Sequence, residues 1–135
     1  MGFAMSNLLI VDDFAPIRTS LRQYFEARGL GKCFEASNGV EALRLAKHVK
    51  PDVVILDFAM PVMDGATAAR VFHEKMPEVP LLMFTAHGAT AQRVLPDVPL
   101  IGVFSKDNIT SLVEAVVRCL RATEIRQLTE RPTPS

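Results

Sequence analysis

Four continuous apolar runs constrain this chain more than any other feature. They are Leu8-Leu9-Ile10-Val11, Val53-Val54-Ile55-Leu56, Leu81-Leu82-Met83-Phe84 and Ile101-Gly102-Val103-Phe104. Runs of this length, rich in branched residues, fit strands of a parallel sheet covered on both faces. Each run delivers a polar group at its end: Asp12 and Asp13 after the first, Asp57 after the second, Thr85 after the third, and Lys106 just past the fourth. In open parallel sheets, ligands bind outside the carboxyl ends of the strands. The spacing therefore predicts an acid pocket on one sheet edge, with a single cation beside it.

The segments between the runs read as helices. Ile17, Leu21, Tyr24 and Phe25 share helical spacing over 16–28, and Pro16 suits a first turn. A second, weaker strand is predicted at 32–36, and a helix after Asn38-Gly39 that Lys50-Pro51 stops. The third strand covers 53–57, the third helix 65–75, and the fourth strand 81–85. Residues 89–95 form at most a short helix, because Pro96 and Pro99 truncate it. A fifth strand at 100–104 leads to a last helix, capped by Asn108 or Thr110, that reaches about residue 122. Five strand–helix units make a single α/β domain over residues 7–122. Residues 1–6 read as a disordered start or an expression remnant, and the polar stretch 123–135 as a loose tail.

Composition narrows the function. The chain has 135 residues, 15 basic and 15 acidic, and no net charge. That balance gives no electrostatic reason to expect nucleic acid or a membrane as partner. No run approaches a membrane span and no signal peptide is present, so a cytoplasmic location is expected. Cys33 and Cys119 have no metal-binding spacing and read as small buried hydrophobes.

Clustered carboxylates repel one another and call for a counter-ion. A hard divalent cation such as Mg2+ takes oxygen ligands from one or two carboxylates plus phosphate oxygens. Asp13 and Asp57 are the expected direct ligands, with Asp12 acting through water and the Ala59 carbonyl completing the protein share. This set permits attack of a carboxylate on phosphorus. Mg2+ and Lys106 would neutralise the phosphoryl charge, and the Thr85 hydroxyl would bond a phosphoryl oxygen. Taken singly, each residue has a plainer role. Asp13 could cap the first helix, Lys106 could be a surface lysine, Thr85 a strand-end threonine and Phe104 simple core.

The motifs together resemble the receiver domain of two-component response regulators. The resemblance covers residues 7–122 and rests on Val11-Asp12-Asp13, Leu56-Asp57-Phe58-Ala59-Met60-Pro61, Met63-Asp64-Gly65, Thr85-Ala86 and Phe104-Ser105-Lys106. It implies a flavodoxin-like, doubly wound, five-stranded parallel sheet in the order 2-1-3-4-5, with helices on both faces. It implies that Asp57 accepts a phosphoryl group from a sensor histidine kinase or phosphotransfer protein, with Asp12 and Asp13 at Mg2+ and Lys106 beside the carboxylate. Thr85 would be drawn inward after phosphorylation and Phe104 would swing to fill the space. The face of helix four, strand five and helix five would then meet an output protein or a second copy. Ala59 and His87 stand where the family tunes phosphate lifetime.

The chain departs from the pattern in two places. Asp107 follows Lys106 where many relatives have a cis-proline, and Pro96 and Pro99 shorten helix four. Two other readings are open. One is a Mg2+-dependent aspartyl-phosphate phosphatase, which Ala59 disfavours because it cannot act as a general acid. The other is a receiver-like binding module that takes no phosphate.

Overall fold

The structure, a computed structural model, describes residue 3 and residues 5–130. Five strands alternate with five helices. The strands are β1 (Asn7–Val11), β2 (Lys32–Ala36), β3 (Val53–Leu56), β4 (Leu81–Thr85) and β5 (Gly102–Ser105). The helices are α1 (Ala15–Ala27), α2 (Gly39–Val49), α3 (Gly65–Lys75), α4 (Gly88–Val94) and α5 (Ile109–Thr129). All strand pairs are parallel and the order is β2-β1-β3-β4-β5. The expected fold class is therefore the observed one.

The apolar runs form the central strands for the reason the sequence suggests. Alternate residues feed two cores. Leu9, Val11, Val54, Leu56 and Met83 face one side, with Ala42, Ala68 and Phe72 of the helices there. Leu8, Ile10, Ile55, Leu82 and Phe84 face the other, with Leu21 and Phe25 of α1 and Leu112 and Val116 of α5. A strand buried on both faces needs apolar residues at every position, which is why the runs do not alternate. The chain order reverses direction between β1 and β3, and that is the place where such sheets open a crevice.

Local signals set the helix starts. The Asn38 side chain accepts from the Glu41 N–H at α2, and Asp64 accepts from Thr67 at α3. At α5 the cap is Asn108, which accepts from Ser111. Pro96 stops α4 at seven residues, as expected. Beyond it, Leu95 and Val98 tuck into the core, and Arg70 of α3 donates to the Val94 carbonyl at 2.7 Å.

Two expectations need correction. The last helix does not end near residue 122 but runs to Thr129. Residues 123–129 contain neither Gly nor Pro and several good helix formers, so their polarity marks exposure rather than a loose chain. Residues 131–135 of the expected tail lie outside the described residues. In the expected disordered start, Phe3 packs against the α1–α5 core and donates to the Gly29 carbonyl, while the Ser6 carbonyl accepts from Lys32. The Phe3 ring and these backbone bonds hold residues 3 and 6 in place. Met1, Gly2 and Ala4 lie outside the described residues. Among the described residues, no helix is long and apolar enough to cross a membrane.

Candidate functional site

Among the described residues, the buried polar side chains are Asp12, Asp57 and Thr85. All three sit at the carboxyl ends of neighbouring strands, β1, β3 and β4. Burial of two carboxylates in an otherwise apolar core requires partners. Lys106, just past β5, supplies one: its Nζ lies 2.8 Å from Asp12 Oδ2 and 3.3 Å from Asp57 Oδ2. The parallel pairing of Thr85 with Ser105 brings Lys106 across to the acids, and its N–H donates to the Thr85 carbonyl.

Asp13 is exposed, yet its carboxylate joins those of Asp12 and Asp57 with one oxygen of each within 4.8 Å of the others. Three carboxylates facing one ammonium leave the pocket with a formal charge near −2. Burial pushes the Asp57 carboxyl above the ordinary carboxylate range, and the Asp12 charge pushes it further. Lys106, and to a smaller degree the Ala59 backbone N–H, pull it back only in part. Burial alone would lower the Lys106 pKa, but the hydrogen bond to Asp12 and the charges of Asp57 and Asp12 outweigh it, so the ammonium is held above its usual value.

Each residue singled out in the sequence has a definite place. Asp12, Asp13, Asp57 and Lys106 come together. The Thr85 hydroxyl accepts from the His87 N–H at 3.0 Å, just ahead of α4, and its own proton remains available to donate. Ala59 and His87 are both exposed. Phe104 is half-buried against the α1–α5 core, and its ring lies across Gly102, where a Cβ would come within 2.8 Å of ring carbons. Asp13 does not cap α1: the N-cap residue is Phe14, and the Phe14 N–H is taken by Asp12 Oδ1 at 2.9 Å. The Lys106–Asp107 peptide is trans.

The sequence reading gave no site role to two residues that shape the pocket. Gly65 opens α3 so close to the Asp57 carbonyl that any side chain would collide with it and with Phe58. Its place directly after the Asp64 cap was the available signal. Arg18 donates from Nη1 to the Asp12 carbonyl at 2.7 Å. No local pattern marks that contact, because it depends on how α1 packs beside β2.

The sequence pattern of the response regulator receiver domain matches residues 8–117. The chain is 35% identical over 129 residues to the transcriptional regulatory protein SrrA of Staphylococcus aureus, covering 91% of this chain and 53% of SrrA. It is 45% identical over 94 residues to protein-glutamate methylesterase/protein-glutamine glutaminase 3 of Hahella chejuensis, covering 66% of this chain and 27% of that protein. The chain thus spans about half and about a quarter of these relatives. A CheY-like receiver domain from Methanospirillum hungatei has the same fold, with a TM-score of 0.83 at 22% identity over 91% of this chain and 99% of the other. The response regulator TrrA of Thermotoga maritima, solved in complex with Mg2+ and BeF, matches with a TM-score of 0.74 at 27% identity, over 85% of this chain and 99% of its own. Sequence pattern, strand order and acid pocket agree, and the chain belongs to the response regulator receiver domain family.

Proposed function

We propose that this domain is a phosphorylation-switched signalling module in which Asp57 is the phosphoacceptor. The observation that carries the reading is the bridge that Lys106 makes between the buried Asp12 and Asp57 at the strand ends. Receiver domains of response regulators interact with histidine kinases, and a phosphohistidine is the donor this chemistry suits. An Asp57 carboxylate oxygen attacks phosphorus, the O–P bond forms, the P–N bond breaks, and the imidazole leaves with its electron pair. The raised Asp57 pKa leaves a basic carboxylate, and a carboxylate loses charge density as it bonds phosphorus.

The donor set fits Mg2+: three carboxylates, all oxygen, at one pocket mouth. Asp12, Asp13 and Asp57 would hold it, with the Ala59 carbonyl. When bound, Mg2+ supplies positive charge opposite the phosphoryl oxygens. Lys106 already stands beside the Asp57 carboxylate and would hold a phosphoryl oxygen there. The Thr85 hydroxyl would donate to another, giving up its bond from the His87 N–H and so loosening the start of α4. Phe104 would then turn inward, and the α4–β5–α5 face would change for an output protein or a second copy. The reading places the domain in the cytoplasm, where phosphohistidine donors form. Ala59, two residues past Asp57, offers no general acid, which disfavours turnover of an external phosphate ester.

The test is intact-mass spectrometry after incubation with Mg2+ and acetyl phosphate. One phosphoryl group should appear on the wild type, decay with time, and be absent from Asp57→Asn. An unmodified wild type, or an adduct that survives the substitution, sinks the reading.

A further inference from the structure

Asp12 is held at four atoms. Its N–H donates to the Ala36 carbonyl at 3.1 Å, Oδ1 accepts from Phe14, Oδ2 meets Lys106, and its carbonyl accepts from Arg18. The last of these comes from outside the pocket. Arg18 lies on α1 and reaches back six residues, with its Nε on Glu35 Oε1 at 3.1 Å and its Nη1 on the Asp12 carbonyl at 2.7 Å. Glu35, on β2, is fixed in turn by Arg22, whose Nε lies 2.8 Å from Oε2.

We infer that Arg18 is a positioning residue for the acid pocket: it aims Asp12 and Asp13 by clamping the turn between β1 and α1. That turn lacks the usual device, since the N-cap residue Phe14 has no side chain able to bond the helix start. The plainer account is an ordinary α1–β2 salt bridge, and exposed pairs of that kind contribute little. Arg22 already makes that bridge to Glu35 and reaches no pocket atom. Among the described residues, Arg18 alone extends the network to Asp12, and its side chain is only 18% exposed. The planar fork gives it two bonds in fixed relative directions, so Glu35 orients the guanidinium and the guanidinium orients the carbonyl. Outer partners that orient ligands are worth about 10-fold to 100-fold in metal affinity.

The inference rests on reading Asp12 and Asp13 as cation ligands, so its test is kept separate from Asp57 chemistry. Mg2+ is titrated into the domain and followed by amide shifts in 1H–15N NMR spectra, beside acetyl phosphate kinetics. Arg18→Ala should weaken Mg2+ binding about 10-fold and slow phosphorylation in step. Arg18→Lys keeps the charge but not the fork, and should recover only a small part of the loss. Arg22→Ala removes one charge from the same cluster without touching Asp12, and should stay within about twofold of the wild type. Mg2+ binding by Arg18→Ala within twofold of the wild type overturns the inference. So does an equal loss in Arg22→Ala, which would make the effect one of charge or of fold. If Arg18→Ala fails to fold, the Arg18→Lys titration decides alone. A wild type that binds Mg2+ yet takes no phosphoryl group overturns the Asp57 reading and leaves the Mg2+ comparison to decide Arg18. A wild type that binds no Mg2+ overturns both.

Discussion

On the β1 and β3 side of the pocket, Asp12 is bonded at four atoms, the Asp57 N–H donates to the Val11 carbonyl at 2.9 Å, and β3 is buried at every position. On the β4 and β5 side, the Thr85 hydroxyl has one contact and its carbonyl accepts from Lys106, β5 is partly exposed along its length, and α4 has seven residues. From just past β5, the Lys106 ammonium reaches both acids of the first side. The first side has the closed packing and complete hydrogen bonding of a scaffold. The second keeps β4 buried but ends in a partly exposed edge strand and a short helix, the kind of region from which moving elements are drawn. A phosphoryl group bound by the rigid side would do its work on the loose one.

That contrast can be broken most directly in the core. Leu56→Ala on β3, fully buried, should destabilise the domain by about 2–5 kcal/mol. Ile101→Ala at the start of the β5 side, 52% exposed, should change stability by no more than about 0.5 kcal/mol. Equal costs in urea unfolding would erase the distinction.

The next effect is one of charge. The folded chain holds the Asp57 pKa above its unfolded value, so the ionised carboxylate lowers stability. The penalty is absent below the unfolded pKa, grows as pH rises through the interval between the two values, and is complete above the folded one. In the absence of divalent cations, Asp57→Asn should therefore be more stable than the wild type at neutral pH, and the gap in urea midpoint should shrink on acidification. Added Mg2+ should narrow it at neutral pH by stabilising the wild type, with all three carboxylates, more than the variant. A gap independent of pH would show that the rigid side carries no stored repulsion.

The smallest effect concerns the end of α4. Arg70→Ala removes the donor to the Val94 carbonyl and should cost about 1 kcal/mol. Amide exchange should quicken over residues 91–98 and stay unchanged along β1 and β3. Uniform quickening would mean that the two sides open together.

The strands on the rigid side were legible because burial on both faces writes itself into the sequence as unbroken apolar runs. Asp12, Asp57, Thr85 and Lys106 were legible because each ends or follows such a run. The α5 extension was misread because polar residues at helical positions look the same in a solvated helix and in a loose tail. Arg18 was missed, and Gly65 was read only as part of a motif, because their partners, the carbonyls of Asp12 and Asp57, are backbone atoms that no side-chain pattern records.

By itself, then, the sequence determined the elements, their parallel pairing class and the identity of the pocket acids, since periodicity and strand-end position are local properties. Only the tertiary structure decided which acid is held how: Asp12 clasped at four atoms, Asp13 exposed, Asp57 tied to Val11 and Lys106, and one lysine shared across the sheet edge. Those differences arise from distances between strands far apart in the chain, and charge and hydrogen bonding act over such distances rather than along the sequence.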